Sequence, residues 1–530
     1  MELKPTASRF PVVVLIALFI VLMLRTAWTA DDAFITYRTV ENFVQGRGLV
    51  WNSGERVQAY THPLWMLLLA AGRALTGEIE LTGLMMSFVL SLAAVLLVAL
   101  AVAARPALAT FALLALVFSK AFVDYSTSGL ENPLSHLLVA LFAWRCLDEH
   151  APRRPGTLAL LTGLTMLNRM DLALLLTPAL AETLWAERSW RTARRAAAAF
   201  LPLVAWEAFS LIYYGTFVPN TAYAKLNNGV APASLLKNGL FYYVSTVNLD
   251  PVLILTLAAA LLTPLIAREP RRLALMAGVT LYMLYVVWIG GDFMAGRMLT
   301  PCLLASVCVI ASLGQIATRE VVFGCATVVL AGLANPRAPV YSMDSYGYRL
   351  TLIDSRGIAD ERAFYYGGTG LLLRRPYQNR PTQSWVQQGL DVQRAGVKVV
   401  VKGNIGFFGF YAGPGVYVVD PFALADPLLA RLPLDPADDW GIGHYRRTIP
   451  NGYLESLERG ENVIEDPGVR QFYDDLRLIT RGDLFSQRRW AAIVHGLLGR
   501  HAEPIKGYLA RGLWRRSKPM EYGPWKPSGD

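Results

Sequence analysis

PVVVLIALFIVLMLRTAWTADDAFITYR, residues 11–38, runs a long apolar stretch (Pro11–Trp28) straight into two adjacent aspartates, Asp31 and Asp32. The stretch has the length of a membrane span and no small-residue cleavage site in frame, so it is read as an uncleaved helix. Lys4 and Arg9 precede it, which places the N-terminus in the cytoplasm and the aspartates at the opposite surface. Further apolar segments follow at roughly 81–103, 108–124, 134–148, 197–214, 250–267, 274–290, 298–316 and 320–334. A longer one, 157–186, is interrupted by Asn168-Arg169-Met170-Asp171 and reads as two short spans.

The composition agrees. Of 530 residues, 54% are apolar and 17% charged, against about 25% charged in soluble domains. Disordered and fibrous classes are excluded. The 50 Lys+Arg exceed the 40 Asp+Glu, but they cluster between hydrophobic runs. That is the pattern of cytoplasmic loops, and nucleic acid is set aside as a partner. Cys146, Cys302, Cys308 and Cys325 all lie in apolar stretches, with no disulfide framework or zinc spacing.

The basic clusters test the topology. Arg105, Arg153/Arg154, Arg188 to Arg195, Arg268/Arg271/Arg272 and Arg319 all fall on the cytoplasmic side under two conditions. Residues 29–80 must form one outer loop, with 62–76 interfacial or re-entrant, and 157–186 must go out and come back. About eleven crossings result. Residues 1–335 form the membrane part and 336–514 a soluble extracytoplasmic α/β domain. The Pro-rich stretch 515–530 is a loosely ordered tail. Within the soluble part, Val397–Val401 and Val416–Asp420 read as strands joined by GNIGFFGFYAGPG. Helices are expected over Tyr453–Arg459 and around 467–477 and 488–499.

Unusual charge gathers on the outer side. Asp31 and Asp32 open the first outer loop, and carboxylates at a membrane surface are costly without partners or work. Either can serve as general base for a sugar hydroxyl or help hold a divalent cation (Mg, Mn or Ca). Arg38, Tyr60 and His62 follow in the same loop, whose run WNSGERVQAYTHPLW suits carbohydrate stacking or an interfacial aromatic belt. Glu131 stands in SGLENP, Arg169 and Asp171 at the hairpin turn, Asn220, Tyr223 and Lys225 in YYGTFVPNTAYAK, and Asp292 and Arg297 in GGDFMAGR. Arg169, Lys225 and Arg297 suit a lipid-linked phosphate. Glu131, Asp171, Asp292, Arg38, Tyr60, His62, Asn220 and Tyr223 are candidates for substrate binding. No cytoplasmic phosphate-cradling loop is present, and Ser126 and Ser128 have no base partner.

DDAFITYRTVENFVQGRGLVWNSGERVQAYTHPLW, NRMDL, PNTAYAK, GGDFMAGR, YAGPGVYVVDPFALADPLLARLP and GIGHYRRTIPNGYLESL together resemble the bacterial arabinofuranosyltransferases that add terminal β-(1→2) arabinose. They also resemble Gram-negative relatives connected with motility or pilin modification. The resemblance implies a mostly helical GT-C membrane fold and a decaprenyl-phosphoryl-arabinofuranose donor. It implies inverting transfer to a glycan or glycoprotein outside the cytoplasmic membrane, with the catalytic carboxylate in the pair Asp31/Asp32. The competing classes are a flippase for lipid-linked sugars, which needs charge facing both sides, and a non-catalytic motility or envelope assembly factor.

Overall fold

The computed structural model describes residues 9–148, 152–226, 229–266, 268–341, 352–373, 380–435, 440–500 and 502–516. Lys4 and nearly all of the expected tail, residues 517–530, lie outside the described residues.

The chain is mostly helical. The first apolar helix, Phe10–Thr26, ends in an extended link, and the helix Asp31–Val44 starts at an angle of 81° to it. The link is tied down: Trp28 Nε1 donates to the Asp124 carbonyl (2.8 Å), and the Ala30 N–H to that of Ser128 (3.0 Å). The expected interfacial segment 62–76 is the helix Pro63–Thr76. The hairpin 157–186 is two helices, Pro155–Asn168 and Ala173–Ala186, around a short turn at Met170–Leu172.

By length and composition, two helices among the described residues, Glu80–Val102 and Pro270–Trp288, are long and apolar enough to cross a membrane alone. The number rises to five if each of three sharply bent pairs counts as one span. The other expected spans are shorter or broken. Residues 108–124 split at Ser119 into Pro106–Phe118 and Lys120–Asp124, and the run 298–316 shortens to the helix Thr300–Ala311. Every residue of Thr300–Ala311 is buried, which makes it the central helix of the bundle. Glycines allow the closest helix contacts. A Cβ at Gly278 would run into the Leu175 carbonyl, and one at Gly239 into that of Val287. Cys146, Cys302 and Cys308 are buried packing residues, as their apolar settings suggest.

The bundle has two chemically different ends. At one, the arginine-rich loops meet each other: Arg105 donates to the Ile316 carbonyl, Arg271 to that of Asp148 (2.7 Å) and Arg272 to Ser312 Oγ (3.0 Å). At the other end the segments carrying the unusual acids meet each other and the C-terminal residues. Arg56 N–H donates to the Thr480 carbonyl (2.9 Å), and Asn220 to that of Ala423 (2.9 Å).

In the C-terminal part, Val399–Val401 pairs in parallel with Tyr417–Val419, in register Val399 to Tyr417. The connection holds a helix, Gly406–Ala412. Helices follow at Tyr453–Arg459, Pro467–Arg481 and Gln487–Leu497, close to expectation. Ile35, Trp51 and Ala59 of the first outer loop share one apolar cluster with Ile405, Phe408, Val416 and Val418.

Candidate active site

Adjacent residues on a helix point about 100° apart, so Asp31 and Asp32 have different surroundings. Asp31 is 5% exposed and is used by the fold. Its Oδ2 accepts the Gly406 N–H (3.1 Å) and its Oδ1 the Phe407 N–H (2.7 Å), which fastens the outer-loop helix to Gly406–Ala412. Glycine is required there, because a Cβ at Gly406 would collide with the Asp31 carbonyl and one at Gly409 with the Trp51 ring. Burial lifts the Asp31 carboxyl to about 7 although both N–H groups pull it down.

Asp32 is half-buried and faces Lys225, Arg297, His444 and Asp292. Burial is the strongest influence and raises its carboxyl, with the three cationic or imidazole neighbours acting the other way. Lys225 lies in the last turn of the short helix Asn220–Leu226 and stands beside Gly443. Gly443 (φ 77°) lets the 441–444 turn close tightly and deliver His444. The imidazole meets Phe293 and Phe422 edge to face at 4.6 and 5.1 Å. Its Nδ1 lies 3.3 Å from the Ile442 carbonyl, which can only accept, so Nδ1 carries the proton. Burial is the strongest influence on His444 and lowers it, with Asp32 acting the other way.

Behind Asp32 the charges are locked together. Glu131, 1% exposed, accepts from Arg297 Nη2 (2.7 Å) and Arg169 Nη1 (3.2 Å), and its Oε2 lies 3.4 Å from His62 Nδ1. Arg169 also grips Asp171 through Nε and Nη2 (3.0 and 2.6 Å), and Arg297 donates to Asn132 and lies 3.9 Å from Asp292. The cations outweigh burial at Glu131 and hold it at about 2; burial drives His62 down to about 4, so it is neutral. His62 Nε2 lies 2.7 Å from Thr36 Oγ1, one turn beyond Asp32 on the same helix.

Four expected substrate contacts lie elsewhere, with their polar groups engaged by the chain. Arg38 donates to the carbonyls of Trp51 (2.8 Å), Gly409 and Val416 (2.9 Å) and stacks on Trp51. Tyr60 pairs with the Tyr214 hydroxyl (2.9 Å). Asn220 donates to the carbonyls of Ala423 and Asp426 (2.9 and 3.1 Å), and Tyr223 bonds Thr216 (2.9 Å) beneath Arg431. These four hold outer loops to one another and to the C-terminal residues. Glu131 does similar work between Arg169, Arg297 and His62.

Sequence reasoning missed two residues at the site. His444 stands inside GIGHYRRTIPNGYLESL, where no spacing or partner in the sequence marks it. Glu361, at the start of the helix Glu361–Thr369, faces Asp32, Asp292 and Asp31, and no pattern in its neighbourhood marks it. Among the described residues, no group of three or more His, Cys, Asp or Glu side chains is arranged to hold a metal ion. The oxygens of Asp31 are already taken by N–H groups.

No family model matches the chain. It is 29% identical to the terminal β-(1→2)-arabinofuranosyltransferase of Mycobacterium tuberculosis, over 84% of this chain and 84% of that protein. It is 31% identical to the protein of the same name in Corynebacterium glutamicum, over 52% of this chain and 47% of that one. The resemblance seen in the motifs thus extends along most of the sequence. Among solved structures, ArnT from Cupriavidus metallidurans bound to undecaprenyl phosphate matches with a TM-score of 0.45 and 16% identity, over 79% of this chain and 76% of that one. The oligosaccharyltransferase of Archaeoglobus fulgidus matches with a TM-score of 0.44 and 12% identity, over 78% and 62%.

Proposed function

We propose that this chain is a GT-C glycosyltransferase of the cytoplasmic membrane. It moves D-arabinofuranose from decaprenyl-phosphoryl-arabinose to a glycan or glycoprotein acceptor on the outer face. About eleven crossings carry the site, and residues 336–514 hold the acceptor. The observation that carries this reading is the convergence of Asp32, Lys225, Arg297 and His444, drawn from four distant segments, at the bundle end opposite the arginine-rich loops. Similarity to two proteins named as terminal β-(1→2)-arabinofuranosyltransferases, over 84% and 52% of the chain, supports the sugar.

Asp32 takes the proton of the acceptor hydroxyl as its oxygen attacks the anomeric carbon and the bond to phosphate breaks. Asp31 cannot share that task while its oxygens accept two backbone N–H groups. A carboxyl raised by burial is a better base than a solvated one. Lys225 meets the departing phosphate, a weak base that needs no acid catalyst. Arg169 and Arg297, whose nitrogens are committed to Glu131, Asp171, Asn132 and Met294, add positive field from behind. The polyprenyl tail lies between helices.

Purified protein given synthetic decaprenyl-phosphoryl-arabinose and a panel of acceptors tests this. Wild type should form product, and Asp32→Asn should bind donor without transferring. Donor binding without product on any acceptor, or full transfer by Asp32→Asn, would overturn the reading in favour of transport or a scaffold.

A further inference from the structure

Glu361 is an acid at the site that the mechanism leaves unused. It is 7% exposed, yet among the described residues its carboxyl makes no hydrogen bond or ion pair. A buried polar group without a partner is costly, and folds retain one where a ligand completes it.

Both neighbours of Glu361 are buried and clamped. Asp360 accepts from Lys120 Nζ (3.0 Å) and caps the helix through the Ala363 N–H (3.2 Å). Arg362 Nε donates to Asp124 (2.5 Å), which Lys120 also pairs. Just ahead, the Ala359 N–H donates to the Phe293 carbonyl (2.6 Å), and the Ala295 N–H to that of Ala359 (3.1 Å). The segment is thereby laced to the loop that carries Asp292 and Arg297. With residues 359, 360 and 362 all engaged, Glu361 is held toward Asp32 and Asp292.

We propose that Glu361 is a substrate-binding residue that seats a hydroxyl of a furanose ring at the Asp32 site, an inference that rests on the glycosyl-transfer reading. The groups facing it are Asp31 and Asp32 from the outer-loop helix, Asp292 and Arg297 from the adjoining loop, and Tyr125. Burial and the three aspartates push Glu361 well above the usual carboxylate range, with Arg297 opposing. Such a carboxyl both donates through its O–H and accepts through its carbonyl, which matches the two capacities of a hydroxyl. A proton-bearing acid is not the base, and Asp32 keeps that role.

The test measures binding, so it does not need turnover. Glu361→Ala and Glu361→Gln are compared with wild type against decaprenyl-phosphoryl-arabinose, bare decaprenyl phosphate and an arabinan oligosaccharide. Glu361→Ala should weaken one sugar ligand about tenfold, leaving binding of bare decaprenyl phosphate unchanged and the melting temperature no lower than that of wild type. Glu361→Gln, which still donates and accepts, should bind within about threefold of wild type. The ligand that weakens identifies whether donor or acceptor supplies the hydroxyl. Its analogue lacking that one hydroxyl should bind Glu361→Ala and wild type alike. Unchanged sugar binding by Glu361→Ala, or an equal loss for bare decaprenyl phosphate, would overturn the proposal. Wild type that binds neither sugar ligand would instead overturn the transfer reading, and this proposal with it.

Discussion

Asp31→Asn and Asp32→Asn, adjacent and chemically identical changes, are expected to fail in different ways. Asp31 accepts two backbone N–H groups at 3.1 and 2.7 Å in a site that is 5% exposed. An asparagine keeps one acceptor oxygen and turns an NH2 group toward the other N–H. One bond is lost and one buried donor is stranded, a cost of about 1–3 kcal/mol. The cost depends on pH. Asp31 rises from 3.8 to about 7 on folding, so between those values the folded protein binds a proton that the unfolded chain does not. Its share of stability is present below about 4 and is lost as pH rises through 7, at most about 4 kcal/mol. Asp31→Asn should therefore melt lower than wild type at pH 5, approach it at pH 8, and show a flatter pH profile between. Its transfer rate should fall less than tenfold. Asp32→Asn should stay folded at both pH values and lose transfer by about 10²–10⁴-fold. Thermal melting in detergent and a radiolabelled transfer assay on both proteins decide the matter. Loss of transfer at unchanged stability in Asp31→Asn, with an active Asp32→Asn, would refute the division of labour.

Four further outcomes follow from the same geometry. A single displacement with Asp32 as base inverts the anomeric carbon, which proton NMR of the product against the donor reads; retained configuration would make Asp32 a nucleophile instead. Glu131→Gln should destabilise by about 3–5 kcal/mol, because Arg169 and Arg297 lose a buried partner; denaturant or thermal unfolding measures it. Glu131 is depressed on folding, from 4.5 to about 2, so its stabilisation is present above about 4.5 and disappears as pH falls toward 2; Glu131→Gln should lack that acid limb. Gly278→Ala should cost about 1–3 kcal/mol, since the added methyl meets the Leu175 carbonyl, and an unshifted melt would contradict so close a helix approach.

Much of the frame is written locally. The interrupted hairpin at Asn168–Asp171, the strands near 399 and 417 and the helix Tyr453–Arg459 all follow from apolar runs and their punctuation. The helix Gly406–Ala412 was hidden because glycines 406 and 409 argue for a loop; they are there so that the helix can press against Asp31 and Trp51. Arg38, Tyr60 and Asn220 read as sugar ligands because polar and aromatic residues in a loop look alike whether they bind a glycan or a distant part of the same chain. No spacing rule separates Asp31 from Asp32, since what distinguishes them is the backbone of residues 406 and 407. Glu361 is legible only once Lys120 and Asp124 are seen to clamp its neighbours.

The catalytic reading requires Asp32, its cations and the C-terminal residues to lie on the side of the bilayer opposite the arginine-rich loops. The native cysteines are buried or half-buried, which keeps background labelling low. Single cysteines at the exposed positions Glu461 and Arg191 (Glu461→Cys and Arg191→Cys) can therefore be probed in spheroplasts with a membrane-impermeant maleimide. Glu461→Cys should label in intact spheroplasts and Arg191→Cys only after lysis. Labelling of both from the same side, or of Glu461→Cys only after lysis, would contradict the account.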